Sequence, residues 1–261
     1  MADKNTVVKK IKDNLYVLTE RSASGFLLIG EEKACMIDTM FGFTYSMEDI
    51  RKLTDKPIIV INTHGHGDHV LGNINFEKAY LHPDDRELAE KTLKQYRWLG
   101  GPKRFRRTWP VFEEIHEGDI VDLGGLELKV YELPGHTKGG IVLLCPQLRI
   151  LFTGDGINHY LFMFLKDSIS IKEYLTNLKR LEFLENEADY ILHGHGDSLN
   201  DISLIKYEIK GAEEILNGDT KNDEKVRIMG MQAFKHSYKA DESKQFDSDG
   251  HYIFYSDKKI N

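Results

Sequence analysis

The chain has 261 residues, of which 41% are hydrophobic, and its formal net charge is −7. A chain of this length and composition can bury a substantial core, which suits one α/β domain with a short extension. The negative charge disfavours a nucleic-acid-binding surface, and no apolar run is long enough to span a membrane. We therefore expect a soluble protein that binds neither nucleic acid nor membrane.

Strand-like and helix-like patterns alternate along most of the chain. In the first half, we predict strands over residues 7–19, 24–29, 33–38 and 58–61 and helices over 46–53 and 84–96. In the second half, we predict paired strands over 119–123 and 126–133 and over 140–144 and 149–153, a strand over 189–192, and helices over 171–184 and 199–216. The pattern by itself predicts a mixed α/β protein.

The sequence changes character after residue 217. Charged and small polar residues dominate 218–224 and 240–250, whereas 226–231 and 252–255 are short apolar runs. We predict a main domain over residues 1–217 and a C-terminal extension over 218–261. The extension is either docked on the main domain or partly ordered.

The two cysteines and the N-terminus bear on the cellular compartment. Cys35 and Cys145 lie in apolar, strand-like runs, which is typical of reduced core thiols. The first residues lack the basic start and apolar stretch of a signal peptide. We therefore predict a cytoplasmic protein.

The densest chemical signal directly follows the strand predicted over 58–61. Within six positions the chain places His64, His66, Asp68 and His69. Imidazole and carboxylate together suit zinc or iron better than calcium or magnesium, which prefer oxygen ligands. The intervening glycines would allow a tight turn in which the first two histidines face one metal and the last two ligands face a neighbouring one.

This loop resembles the His-x-His-x-Asp-His signature of the metallo-β-lactamase superfamily. Three later segments occur in the order that the family uses, and they contain His136, Asp155 and His195. The resemblance implies a four-layer αββα sandwich with the site at one edge. It also implies a first metal bound by His64, His66 and His136, a second bound by Asp68, His69 and His195, and a bridging Asp155.

Two further residues are expected to support the site without binding metal. The resemblance implies that Asp38, at the end of a strand, stabilises the site from below. The family requires no ligand at His193, two positions before His195, so we interpret this histidine as supporting or structural.

The resemblance implies a dinuclear zinc hydrolase that acts through a metal-bridging hydroxide. Zinc lowers the pKa of bound water to about 7, so a nucleophile is available at neutral pH. Asp68 and Asp155 are the predicted catalytic carboxylates, and the substrate is a small ester, thioester or lactone. Three alternatives remain open. They are a mononuclear iron oxygenase of the persulfide dioxygenase type, a phosphodiesterase or weak β-lactamase using the same site, and a non-catalytic sensor or scaffold.

Substrate recognition is predicted from residues beside the ligands. Asn158 stands where the family's homoserine-lactone hydrolases usually have a tyrosine, which disfavours a lactone, although Tyr160 could reach the same space. Phe43 is a candidate apolar wall. The segment 97–110 is basic and aromatic, and we expect it to cover the cleft. Within it, Trp98 or Trp109 would contact an apolar part of a small-molecule substrate, and Arg104 or Arg107 would bind an anionic group. A homodimer is left open.

Overall fold

The computed structural model describes residues 6–98, 110–248 and 250–261. The first seven strands form one sheet in sequence order. They are β1 (Val7–Lys12), β2 (Leu15–Glu20), β3 (Ala23–Ile29), β4 (Ala34–Ile37), β5 (Ile58–Ile61), β6 (Lys78–Leu81) and β7 (Val111–Glu114). Neighbours are antiparallel from β1 to β4 and parallel from β4 to β7.

A second sheet has six strands in the order β14-β13-β11-β10-β9-β8. The strands are β8 (Ile120–Asp122), β9 (Glu127–Glu132), β10 (Ile141–Cys145), β11 (Ile150–Gly154), β13 (Tyr190–His193) and β14 (Asn200–Asp201). Apolar side chains from both sheets form one buried cluster, in which the Phe26 and Phe152 ring centroids lie 5.4 Å apart. The two sheets therefore pack face to face and bury a shared core.

Helices cover the outer face of each sheet. The first sheet is accompanied by α1 (Met47–Arg51), α2 (Gly67–Val70) and α3 (Arg86–Trp98), and the second by α4 (Ile171–Arg180), α5 (Leu184–Glu187) and α6 (Leu204–Leu216). Separate buried clusters join the helices to their sheets. This arrangement confirms the predicted αββα sandwich.

A third sheet joins the predicted C-terminal extension to the preceding chain. Its order is β12-β17-β16-β15, with β12 (Tyr160–Phe162), β15 (Glu224–Ile228), β16 (Met231–Ser237) and β17 (Tyr252–Tyr255). Because β12 belongs to the first 217 residues, the extension continues a sheet that begins next to Asp155. The division into two domains stays a prediction.

Three predicted elements have clearly different bounds in the structure. The helix predicted over 171–184 is interrupted, because α4 ends at Arg180 and α5 begins at Leu184. The strand predicted over 7–19 is two strands, because Asp13 and Asn14 form the turn between β1 and β2, and both residue types favour turns. The helix predicted over 199–216 begins only at Leu204. The preceding Asn200 and Asp201 instead pair with β13, and the Asp201 carboxylate accepts a hydrogen bond from the Ser203 amide.

The two cysteines agree with their prediction as core thiols. Cys35 lies in β4 and Cys145 in β10, and both are buried and free. Burial raises the pKa of each thiol above its ordinary value. Within the described residues, none of the helices is both long and apolar enough to cross a membrane.

The buried carboxyl group of Glu208, in α6, should make the stability of the core depend on pH. The side chain is fully buried, and burial raises its pKa well above the ordinary value of 4.5. The folded protein therefore holds this proton more tightly than the unfolded chain does, and stability is lost as the pH rises above 4.5. We expect Glu208→Gln to gain stability relative to the unsubstituted protein as the pH rises, by up to about 1.4 kcal/mol per pH unit.

Urea denaturation at a series of pH values would measure this difference in the free energy of unfolding. Glu213→Gln is a matched control in the same helix, because the Glu213 side chain is 42% exposed. Parallel stability curves for Glu208→Gln and the unsubstituted protein would contradict the expectation.

Candidate metal centre

Four loops bring the predicted ligands together, and each follows the carboxyl end of a strand. The loop after β5 carries the dense motif, the loop after β9 carries His136, and Asp155 directly follows β11. His195 lies two residues beyond β13. β11 and β13 are parallel neighbours, so their ends deliver Asp155 and His195 to the same place.

Three histidine nitrogens form a first group. His64 Nε2 lies 3.1 Å from His66 Nδ1, which lies 2.9 Å from His136 Nε2. His64 and His136 are buried. Three imidazoles that point at one place form a donor set suited to zinc.

A second group lies beside the first. His195 Nε2 is 3.0 Å from Asp155 Oδ2 and 3.8 Å from Asp68 Oδ2, and His69 Nε2 is 3.5 Å from Asp155 Oδ1. Asp155 Oδ2 is also 3.5 Å from His136 Nε2 in the first group. This carboxylate therefore lies between the two groups.

Each histidine ring has one nitrogen directed into the donor group and one directed away from it. The hydrogen bond made by the outer nitrogen indicates whether the inner one can bind a metal. A neutral imidazole has one N–H, so a ring that donates from its outer nitrogen has a lone pair on its inner one. Outer Nδ1 atoms donate from His69 to Asp38 at 2.8 Å, from His136 to the Phe162 carbonyl at 2.9 Å, and from His195 to the Ser22 carbonyl at 2.6 Å. His64 Nδ1 can donate to Thr63 Oγ1 at 3.2 Å, because that hydroxyl gives its own hydrogen to Asp38. These rings fit a metal at their inner nitrogens.

His193 has the opposite arrangement. Its Nδ1 accepts a hydrogen bond from the His195 amide at 3.3 Å, so the neutral ring carries its hydrogen on Nε2. The same reasoning applies to His82, whose Nδ1 accepts from the Asp84 amide at 3.3 Å. This pattern supports His195, rather than His193, as the ligand from the last loop.

The charges around the second group favour a cation. Burial opposes a charge on His69, but the nearby Asp38, Asp155 and Asp68 outweigh burial and raise its pKa to about 10. Burial likewise opposes a charge on His195, whereas Asp155 raises its pKa to about 9. By contrast, burial and the neighbouring His69 and His66 hold the pKa of His64 well below 6.5. The same negative charges would stabilise a metal ion here.

Residues 18–195 match the family model described as the metallo-beta-lactamase superfamily. This segment is more than half of the chain. The chain belongs to the metallo-beta-lactamase superfamily. Membership confirms the resemblance read from the motifs and the prediction of a metal-dependent hydrolase. The number and identity of the metals, and the ligand to each, stay predictions.

Relatives within the superfamily are distant in sequence. Acyl-coenzyme A thioesterase MBLAC2 of Homo sapiens is 25% identical in an alignment of 222 residues that covers 72% of this chain and 80% of the relative. Hydroxyacylglutathione hydrolase of Chelativorans sp. (strain BNC1) is 28% identical over 146 residues, which are 55% of this chain and 48% of the relative. The solved structure of a metallo-beta-lactamase from Pontibacter korlensis has a TM-score of 0.64 at 20% identity, covering 80% of this chain and 99% of that chain, and shows the shared fold.

Two buried aspartates hold the loops of the superfamily site. Asp38 accepts hydrogen bonds from the Thr63 amide, the Thr63 hydroxyl and His69, so it joins the end of β4 to the motif loop. Asp85 accepts from the Gly65 amide at 2.7 Å and from the Gly139 amide at 2.8 Å. Asp85 therefore ties the loop of His64 and His66 to the loop of His136. The sequence signal at Asp85 was only that of a helix start, and its contacts lie far along the chain.

Arg21, which the motifs did not indicate, lies beside the superfamily site. A cavity of about 290 Å³ opens next to His195 and is lined partly by Arg21 and Tyr160. The Arg21 guanidinium lies 5.7 Å from the Phe41 ring and 5.1 Å from the Phe43 ring, and the two rings stack at 5.5 Å. Arg21 has a φ of 60°, a conformation that costs energy for a residue other than glycine. Phe43 is part of this aromatic pair, and its role as an apolar wall for the substrate stays a prediction.

The remaining predicted substrate residues differ in their placement. Asn158 is buried and hydrogen-bonds within its own loop, to the Asp155 carbonyl and the Tyr160 amide, whereas Tyr160 is 47% exposed. Trp98 ends α3, and its side chain lies outside the described part of the protein, as do Arg104, Arg107 and Trp109. Their predicted roles stay predictions.

The ligand assignment can be tested by metal content. We expect Asp68→Ala to lose the second metal at saturating zinc, because the substitution removes a ligand and a negative charge together. His193→Ala should keep both metals under the same conditions, since its ring nitrogens are not directed at them. Elemental analysis of proteins dialysed to equilibrium against the same saturating zinc would measure this, since that concentration also fills a second site whose affinity is only moderately weakened. Equal metal loss in the two variants would show that the assignment of His195, rather than His193, as the last ligand is wrong.

Proposed function

We propose that this protein is a dinuclear zinc hydrolase that cleaves acyl thioesters. The position of Asp155 carries the proposal, because its Oδ2 lies 3.0 Å from His195 Nε2 and 3.5 Å from His136 Nε2. A carboxylate between two donor groups is suited to bridge two ions. The first relative is named as an acyl-coenzyme A thioesterase and another as a hydroxyacylglutathione hydrolase, and both names describe removal of an acyl group from a carrier.

The chain's own residues would prepare the site for this reaction. When bound, the metals would supply a Lewis acid for the carbonyl oxygen and lower the pKa of a reacting water. His69 is oriented by Asp38, and His195 is oriented by the Ser22 carbonyl. The Asp68 side chain is 27% exposed, so solvent reaches this edge of the site. Water would form the new C–O bond as the C–S bond breaks, which gives a carboxylic acid and a thiol.

The geometry favours this function over a mononuclear iron oxygenase. An iron held by His64, His136 and Asp155 would leave His66 unused, although His66 Nδ1 lies 2.9 Å from His136 Nε2. It would also leave His69 and His195 without a role, although each has its inner nitrogen near Asp155. Seven donors in adjoining groups support two ions.

A substrate panel would test the proposal. We expect the zinc-loaded protein to hydrolyse acyl-coenzyme A thioesters faster than matched oxygen esters, lactones, phosphodiesters and β-lactams, and a chelator to abolish the activity. Product formation can be followed by chromatography, with metal analysis of protein purified without added metal. One iron per chain with sulfite-forming activity, or a preference for another class in the panel, would contradict the proposal.

We further propose that Arg21 binds an anionic group of the substrate. The two carboxylates that line its cavity have other partners, since Asp197 contacts Lys9 and Asp247 contacts His159 and His193. The stacked Phe41 and Phe43 rings hold the guanidinium beside the site. A phosphate-bearing carrier such as coenzyme A would offer Arg21 a bidentate partner.

Arg21→Gln should therefore raise KM for an acyl-coenzyme A thioester about tenfold, the effect of losing one charge-assisted contact. KM for the same acyl group on uncharged N-acetylcysteamine should change little. Arg227→Gln removes an equal charge from β15, in the third sheet, and controls for the loss of net charge. Steady-state kinetics on both substrates would measure the effect. An equal change on both, or an equal effect of Arg227→Gln, would contradict this role.

A further inference from the structure

Asp247 of the C-terminal extension reaches the metal loops from outside the region that matches the family model. Its Oδ1 lies 3.0 Å from His159 Nε2 and 3.2 Å from His193 Nε2, and its side chain is only 13% exposed. The matched region ends at residue 195, so no feature of that match concerns this carboxylate.

The two histidines lie near Asp155 and His195, two predicted ligands of the second group, along the chain. His159 follows Asp155 by four residues in the loop before β12, and His193 precedes His195 by two. Asp155 and His195 are 40 positions apart in sequence and meet at 3.0 Å. One carboxylate from the extension therefore contacts both loops that deliver this pair.

The contact is transmitted to His195 through the His193 ring. His193 donates from Nε2 to Asp247 and accepts at Nδ1 from the His195 amide. The Asp247 amide donates to Asn200 Oδ1 at 2.8 Å, and this oxygen also lies 2.8 Å from His159 Nε2. Gly196 permits the approach, because a Cβ there would lie 2.2 Å from Asp247 Oδ2. Hydrogen bonds therefore connect Asp247 both to His159, near Asp155, and to His193, near His195.

The same three side chains form a cluster whose ligand atoms would be close enough for a metal ion. The hydrogen positions argue against a metal there. Because His193 Nδ1 accepts the His195 amide hydrogen, its Nε2 carries a hydrogen and has no lone pair for a cation. The short distances within the cluster are instead explained by the Asp247 carboxylate accepting a hydrogen bond from each of the two imidazoles.

We propose that Asp247 is a positioning residue that sets the spacing of the Asp155 and His195 loops and thereby the affinity of the second metal. This inference rests on the proposed dinuclear centre. Asp85 makes the corresponding connection for the first group, because it joins the Gly65 and Gly139 amides. Partners behind metal ligands typically change metal affinity by 10- to 100-fold when they are removed.

Zinc titration against a chromogenic chelator, without substrate, would test the proposal. We expect Asp247→Ala to weaken the second zinc about tenfold or more and to leave the first unchanged. Asp247→Asn should retain most of the affinity, since its Oδ1 still accepts a hydrogen bond. At limiting zinc kcat should fall, and excess zinc should restore it.

Asp223→Ala is the matched control in the same extension. Asp223 is 5% exposed and accepts hydrogen bonds from His236 and Tyr255, each at 2.8 Å, but contacts none of the predicted ligands. The Asp223→Ala substitution should lower the melting temperature without selective loss of the second zinc ion. His193→Phe keeps an aromatic ring but removes both imidazole nitrogens that connect Asp247 to His195. It should therefore reproduce the effect of Asp247→Ala, and the double variant should be no worse than either single one.

Several outcomes would overturn the inference. Unchanged affinity for both zinc ions in a folded Asp247→Ala variant would do so, as would an equal zinc loss in Asp223→Ala. If Asp247→Ala does not fold, unchanged zinc affinity in His193→Phe would overturn the inference instead. Three bound zinc ions in the wild-type protein and two in Asp247→Ala would also overturn it, because the cluster of His159, His193 and Asp247 would then be a metal site. A wild-type protein that binds two zinc ions but does not cleave thioesters would contradict the proposed function and leave this inference standing.

Discussion

The site depends on a requirement that each predicted histidine ligand keep one nitrogen free of hydrogen and directed inward. Hydrogen bonds on the outer side of the rings meet this requirement, as Asp38 does for His69 and the Ser22 carbonyl does for His195. Without these acceptors, a buried imidazole could turn or change its tautomer, and the donor set would lose its geometry. The positions of β2, β3 and β4 relative to the second sheet matter for this reason, since they hold the acceptors in place.

Local spacing in the sequence was sufficient to indicate the metal-binding loops. The sandwich followed from the resemblance to the superfamily, since the strand and helix pattern by itself predicted only a mixed α/β protein. A strand followed by clustered histidines and glycines has few structural interpretations, and the later ligands recur beside glycines in strand-end loops. Contacts between distant segments leave no such signal. Asp85 was part of an ordinary helix start, Arg21 was one residue in a hairpin turn, and Asp247 lay in a charged tract that is typical of solvent-exposed loops. Their roles depend on partners 20 to 88 positions away.

The two metal groups are supported by different parts of the chain. Asp85, at the start of α3, joins the loops of the first group, whereas Asp247 joins the loops of the second from beyond α6. The first support lies inside the segment shared with the superfamily, and the second lies outside it. In the proposed dinuclear centre, sequence changes in the extension would therefore alter one metal position while the other keeps its surroundings.

The burial of both cysteines has a practical consequence for measuring thiol release. Cys35 and Cys145 are enclosed in β4 and β10, and burial holds their pKa values above the ordinary range, so neither thiolate is available to an electrophilic dye in the folded protein. Colour that develops with such a dye then comes from the product and not from the enzyme. A slow additional signal of two thiols per chain would report unfolding, which makes the same reagent a built-in check of sample integrity.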